Sequence, residues 1–342
     1  MKPKATPENR AGPARGQPFD EAGSTPSQDL LPPGARASLP FGANLEPVLR
    51  EACDNRLSPV SWFRTDWQRG GALTGYSTFR DPEGIDQPVV VKLPVPPVEH
   101  TWLLRLQPFE GLVPRLHAHG LGLAGYDIAW VVMERLPHGP LSSAWDGAQF
   151  DLLAEAAGRY YAASSTFPVD HEPPLRDWQA IVKRARDGVQ RGQPPNQQRW
   201  KRALKKAGRR LDTWLERWEQ RPKDHWCHGD LHLANAMTRQ AAPQGPAVLI
   251  DFAVVHGGHW VEDAVYFEHL FWPRRQVLNG RNVCNLIAKQ RKAQALIVDE
   301  AWPQLAAIRR CLLAAGAPAA PAASGDPLHM EAALQVLEAT EV

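Results

Sequence analysis

Asp230, Asn235 and Asp251 are the residues of this chain whose types and spacing point most directly to chemistry. Asp230 follows a glycine in the polar segment His228-Gly229-Asp230-Leu231-His232-Leu233-Ala234-Asn235. That glycine lets the backbone take conformations closed to other residues. Asp251 closes the apolar run Ala247-Val248-Leu249-Ile250, which reads as a buried strand. A carboxylate at the end of such a strand calls for a metal or a set of hydrogen bonds. An acid five residues before an amide, with a second acid after the next strand, is what metal-assisted phosphoryl transfer requires. In that chemistry the first carboxylate accepts a hydroxyl proton, and the amide and second acid hold magnesium against nucleotide phosphates.

A second requirement is a cation for the phosphates, and Lys92 is the candidate. It interrupts the β-branched run of residues 87–93, Gln-Pro-Val-Val-Val-Lys-Leu. A strand lysine can simply lay its stem along apolar surface. It can also contact phosphates, oriented by a carboxylate on the next helix. That helix is expected over 96–107, where prolines stand at a position a helix start accepts. Glu99 lies in its first turn, where an acid also complements the helix dipole. Glu99 is the first choice as partner of Lys92, ahead of Glu110.

The elements that must carry these residues follow from patterning. Residues 45–55 have helical spacing, and 60–67 and 76–80 read as strands around a glycine-rich turn at 68–75. Such a turn could cradle phosphates through backbone N–H groups, although hairpin turns carry glycines for simpler reasons. Further strands are expected over 112–117 and 129–133. Residues 134–141, with two prolines and a glycine, break the pattern and mark a lobe boundary.

Beyond that boundary the chain turns helical, beginning with 150–161. Trp200, Ala203, Leu204, Ala207, Leu211, Trp214, Leu215 and Trp218 form one apolar stripe. The opposite face carries Arg199, Lys201, Arg202, Lys205, Lys206, Arg209 and Arg210. Basic helices of this kind touch nucleic acid or anionic lipid in some proteins, but a solvated face is the ordinary case. A hairpin with strands at 236–239 and 247–251 follows, then helices over 262–272, 283–298 and 302–315.

Composition narrows the classes. The chain has 342 residues, 43% hydrophobic and 22% charged, with a formal net charge of +2. That is an ordinary globular protein with material for a large core and no polyanion-binding balance. Cys53, Cys227, Cys284 and Cys311 form no CxxC pair or cluster, so a reducing compartment suits them. The N-terminus leads into no apolar core and no stretch is long enough to span a bilayer, so a cytoplasmic protein is expected. Prolines number 32. Many fall in residues 1–45, expected to be disordered, and in 317–327, expected to link to a last short helix.

With Lys92, the break at Glu134 and the His228–Asp251 segment in view, the chain resembles the aminoglycoside phosphotransferase-like family. These are small-molecule kinases of the protein-kinase-like fold. His-Gly-Asp-Leu-His-x-x-Asn followed by an apolar strand into Ile-Asp-Phe carries the resemblance, together with Leu-Val-Pro-Arg-Leu and Val-Val-Met-Glu-Arg-Leu upstream. It covers roughly residues 58–315 and is strongest over 226–270. It implies an α+β, bilobal fold, with a small antiparallel-sheet N-lobe over 46–136 and a larger, mostly helical C-lobe over 137–316. Residues 317–342 would form the linker and terminal helix.

The same resemblance implies roles. Asp230 would be the catalytic base, Asn235 and Asp251 the magnesium ligands, and Lys92 the phosphate contact oriented by Glu99. Backbone groups at Glu134 and Leu136 would meet the adenine edge of ATP. Asp263 would brace the catalytic loop, with His228 and His232 shaping it. Leu233-Ala234 stands where Pro-Gly is frequent, Asp251-Phe252-Ala253 lacks the glycine of protein kinases, and the Lys92–Glu99 separation is short. The implied reaction uses ATP and Mg2+ to phosphorylate a hydroxyl of a small molecule, with no nucleic-acid partner.

Two other classes compete. His228, Asp230 and His232, with Cys227, His225, His256 and His259 nearby, have the residue types of a transition-metal hydrolase. A kinase fold serving only as a binding module would need none of the charged residues retained here. The acceptor is open: aminoglycosides favour an acidic pocket, and Glu262, Glu268 and His269 are candidate contacts. A choline-type acceptor calls for an aromatic cage, which Trp260, Tyr266, Phe267, Phe271 and Trp272 would supply if they are not simply core.

Overall fold

In strand β4 (Asp86–Leu93), Val89, Val91 and Leu93 are fully buried on one face. Period-two alternation therefore turns Lys92 to the other face. The computed structural model describes residues 35–37, 40–65, 72–143, 147–173, 175–192, 194–319 and 326–339. Of the segment expected to be disordered, 1–45, residues 1–34 and 38–39 lie outside the described residues, whereas 35–37 form a strand and 40–45 begin a helix. Half of the glycine-rich turn and most of the linker also lie outside them.

Strand β4 is central in an antiparallel sheet with β1 (Ala35–Ala37), β2 (Ser61–Thr65), β3 (Leu73–Arg80), β5 (Leu116–Gly120) and β6 (Trp130–Glu134). The strand order is β1-β2-β3-β4-β6-β5. The strand expected over 112–117 begins later, at Leu116. Pro114 has no N–H for a ladder, and the preceding residues form a turn in which the Leu112 amide donates to the Phe109 carbonyl at 3.2 Å.

Two cores sandwich the sheet. On one side, Leu49 from α1 (Pro40–Ala52) packs with Leu57, Trp62, Phe79, Val89, Val91 and Val132. On the other, Trp102, Leu103 and Leu106 of α2 (Pro97–Leu106) join Val131 and the larger helical core. Pro97 begins α2 where a missing N–H costs nothing, and this places Glu99 in the first buried turn.

The larger lobe is built on α3 (Gln149–Ser164), whose Phe150, Leu153, Ala157 and Tyr160 are buried. Helices α4 (Trp178–Gly192) and α5 (Gln197–Glu219) pack as a pair through Val182, Ala185 and Val189 against the apolar stripe of α5. The basic face of α5 is largely exposed, and Arg199 reaches Glu331 and Glu338 on α9 (Pro327–Ala339) at 2.9 and 2.6 Å. Helices α6 (Val261–His269), α7 (Val283–Ala293) and α8 (Trp302–Gly316) close the lobe.

Two short antiparallel pairs set the loops between these helices. Strand β7 (His225–Cys227) pairs with β10 (His256–Gly258), and β8 (Ala236–Thr238) pairs with β9 (Ala247–Leu249). The hinge strand continues onto the second pair: the Thr238 amide donates to His138 at 2.8 Å and the Leu141 amide to Ala236 at 2.9 Å. Among the described residues no helix is long and apolar enough to cross a membrane.

Candidate active site

The loop carrying Asp230 is pinned from beneath. Asp263 of α6, 1% exposed, accepts the His228 amide through Oδ2 and the Gly229 amide through Oδ1, both at 2.8 Å. The Tyr161 hydroxyl also donates to Oδ2, at 2.9 Å. Hydrogen bonds to a charged group contribute roughly 1.5–3 kcal/mol each, so this one carboxylate fixes the path of the loop. Gly229 is required there: its φ is +81°, and a Cβ would lie 2.3 Å from the Val254 carbonyl oxygen.

His228 faces away from the cleft. It is fully buried between Tyr160 and Phe252, with Nε2 3.2 Å from the Ile250 carbonyl. Burial lowers its pKa, despite the nearby acids that oppose the shift. A neutral ring there is a packing element of the loop.

Asp230 is held by three side chains. The Tyr266 hydroxyl donates to Oδ1 at 2.5 Å, and Asn235 Nδ2 donates to Oδ2 at 3.0 Å. His232 Nε2 lies 3.3 Å from Oδ1. Its Nδ1 accepts the Ala234 amide at 3.1 Å, which leaves the ring proton on Nε2, facing the carboxylate. Partial burial alone would raise the Asp230 pKa. The bonds from His232, Tyr266 and Asn235 outweigh it and hold the group well below the usual carboxylate range.

The β8–β9 hairpin brings the other two residues to this loop. The Ile250 amide donates to the Asn235 carbonyl at 3.0 Å, so Asp251 emerges beside Asn235. Asp251 takes φ +64°, a conformation aspartate tolerates better than most residues. Its side chain is 42% exposed, with Oδ1 3.5 Å from Lys92 Nζ. Asn235 spends its Nδ2 on Asp230, also donating to the Asp230 carbonyl at 3.0 Å, which leaves Oδ1 as its free donor atom. An amide oxygen beside an exposed carboxylate is the set a hard cation such as Mg2+ prefers.

Lys92 reaches across from the sheet. Its Nζ donates to Glu99 Oε1 at 2.7 Å and Oε2 at 2.8 Å, whereas Glu110 sits on an exposed turn. Burial would lower the Lys92 pKa, but Glu99 and Asp251 together raise it, so the amine stays charged.

At the lobe boundary, the Glu134 carboxylate binds Arg239 at 2.7 and 2.6 Å and the Arg115 amide at 3.1 Å. This ties the sheet to the β8–β9 hairpin. The Leu136 side chain is buried, and its amide donates to none of the described residues.

Other expectations resolve differently. Trp260 and Phe267 are fully buried core, Phe271 packs on Phe150, and Trp272 stacks on His329, so the five aromatics form no cage. Tyr266 belongs to the base itself. Glu268 is spent on Arg310 at 2.7 and 2.6 Å, and His269 on the Tyr266 carbonyl. His228, Asp230 and His232 do not converge as metal ligands. Among the described residues the group whose donor atoms come within 4.8 Å is Cys227, His256 and Glu262. There Glu262 is already bound by Arg221 at 3.0 Å, a poor setting for a cation.

The family model for a phosphotransferase enzyme family matches residues 79–308, spanning both lobes and every candidate site residue. The chain belongs to the phosphotransferase enzyme family. The chain is therefore a phosphotransferase. The metal-dependent hydrolase has no support.

A solved structure of a candidate aminoglycoside phosphotransferase from Ralstonia eutropha matches at 14% identity, TM-score 0.52, over 87% of this chain and 99% of that one. It shares the bilobal, protein-kinase-like α+β fold. The phosphotransferase also matches a choline kinase from Streptococcus pneumoniae at 14% identity, TM-score 0.49, over 86% and 99% of the two chains. A macrolide 2'-phosphotransferase from Brachybacterium faecium matches at 16%, TM-score 0.45, over 88% and 99%. No curated protein sequence matches it.

Proposed function

We propose that Asp230 is the catalytic base of this phosphotransferase and that Asn235, Asp251 and Lys92 hold the nucleotide end of the reaction. The observation that carries the reading is the convergence of these four residues from a loop, a hairpin and a sheet, with Lys92 3.5 Å from Asp251. Asp230 stays ionised, and its hydrogen bonds orient it before any acceptor arrives.

The acceptor hydroxyl gives its proton to Asp230 as its oxygen attacks the γ-phosphorus. The new oxygen–phosphorus bond forms while the bond to the leaving ADP breaks. Asn235 Oδ1 and the Asp251 carboxylate would hold Mg2+, which when bound neutralises charge on the phosphates. Lys92, oriented by Glu99, places a fixed positive charge at the phosphates without reorganisation. The Glu134 carbonyl and the Leu136 amide would meet the adenine edge. Most of the acceleration comes from positioning and charge placement.

All four cysteines are free and buried, which suits a reducing compartment such as the cytoplasm. A panel of hydroxylated metabolites, read by acceptor-dependent ADP release with Mg-ATP, tests the proposal. Release that requires an acceptor supports it. Phosphoryl transfer that survives loss of both Asp230 and Asp251 would sink it.

A further inference from the structure

Beside the catalytic loop lies a cavity of about 90 Å3, lined by Gly229 and Tyr266 together with Trp178, Trp218, Arg221 and Arg309. A water needs roughly 10–15 Å3 of such space, so the cavity has room for a small polar group. Tyr266 connects it to the base: the same side chain that lines the cavity donates to Asp230.

Arg309 of α8 is only 5% exposed, and its side chain makes no hydrogen bond or ion pair with any described residue. Its Nε is buried without a partner. The guanidinium packs over the Trp178 and Trp218 rings, at 5.4 and 5.2 Å from their centroids. Arg221 covers Trp218 at 4.2 Å and Arg176, on the cavity rim, covers Trp178 at 5.9 Å. These indoles therefore already carry the chain's own cations and are poor hosts for an ammonium group.

Among the described residues no nearby acid pairs directly with Arg309, although Glu262 acts on it through space. Glu262 is ion-paired with Arg221 at 3.0 Å, and Asp263 is spent on the loop amides. Glu219 is exposed and bound to Lys223 at 2.9 Å, and Glu172 is exposed. Burial lowers the Arg309 pKa to about 10, despite Glu262, so it remains a cation at neutral pH. A buried cation without a partner is costly unless something anionic joins it.

We infer that the acceptor carries, besides the hydroxyl placed at Asp230, an anionic group that docks on Arg309 in the cavity beside Tyr266. A carboxylate and a phosphate monoester share the chemistry required, bidentate recognition by a guanidinium. Arg176, at the exposed rim, supplies further positive charge near it. The inference rests on Asp230 being the base, because that places the hydroxyl within a short molecule's length of the cavity.

The test uses the full chain with Mg-ATP and four matched acceptors: glycerate, glycerol 3-phosphate, glycerol and 2-amino-1,3-propanediol. ADP release should favour glycerate or glycerol 3-phosphate, and which of the two wins separates the carboxylate from the phosphate source. Arg309→Met should raise the acceptor KM about 10- to 100-fold, the loss of a charge-assisted bond, with Mg-ATP affinity within about twofold. Arg176→Ala, at an exposed position, should weaken the same preference and covers the case in which Arg309→Met does not fold.

If none of the four is turned over, thermal shift with inorganic phosphate decides. A rise in Tm that Arg309→Met abolishes supports the inference; no rise, or one that Arg309→Met retains, overturns it. Preference for glycerol or the amine, or unchanged KM in both variants, also overturns it while leaving Asp230 as the base. Absence of both Mg-ATP binding and ADP release would instead remove the reading on which it rests.

Discussion

The Tyr266 hydroxyl donates to Asp230 Oδ1 at 2.5 Å, from the helix turn that follows Asp263. Residues three apart on a helix share a face, so one face of α6 both pins the catalytic loop and orients the base it carries. Burial works to raise the Asp230 pKa, and the bonds from His232, Tyr266 and Asn235 reverse the sign.

A pH dependence follows. The pKa is depressed below the ordinary value of about 3.9, so Asp230 is fully ionised above that value and is lost as a base only in stronger acid. The acid side of kcat/KM should be flat from pH 8 down to about pH 5. A limb above pH 5 would contradict an ionised Asp230 as the base. Tyr266→Phe removes a bond to the ionised form, so it should move the limb upward and lower kcat about tenfold.

The contact between Lys92 and Glu99 gives a second prediction. Glu99 is 2% exposed and grips the amine through both oxygens. Glu99→Gln leaves Lys92 free to turn toward Asp251, and kcat/KM for ATP should fall about 10- to 100-fold. Glu110→Gln, at an exposed turn, should leave the same constant unchanged. Steady-state kinetics at varied ATP separates the two.

Gly229→Ala tests the loop as a strained, built part. The new Cβ would meet the Val254 carbonyl oxygen at 2.3 Å with φ at +81°, and backbone strain of this kind costs about 1–3 kcal/mol. The Tm should drop, and kcat should fall even in the fraction that remains folded, because Asp230 follows directly. An unchanged Tm would mean that the loop adjusts freely.

What was legible in the sequence is what lies in one stretch or follows one period. Asp230, Asn235 and Asp251 are joined by a hairpin whose strands are plain in the apolar run 247–250, and Lys92 interrupts an equally plain strand. The bilobal fold followed from the same patterns with the resemblance. Tyr266 was not legible as a partner of the base, since a tyrosine amid Val265 and Phe267 reads as core. Its spacing from Asp263 was the available signal. Helix α4 was hidden because Lys183, Arg184 and Arg186 crowd the stripe of Trp178, Val182, Ala185 and Val189. Arg309 lay in a helix that read as ordinary, and only the fold brings it over two tryptophans on other elements.

The most direct measurement is acceptor-dependent ADP release by Asp230→Ala beside its affinity for Mg-ATP. A general base contributes about 10²- to 10⁴-fold. Turnover should therefore fall by roughly that factor, with nucleotide affinity within about twofold, because Lys92, Asn235 and Asp251 remain. Full turnover by this variant, or loss of nucleotide binding in a folded protein, would contradict Asp230 as the base.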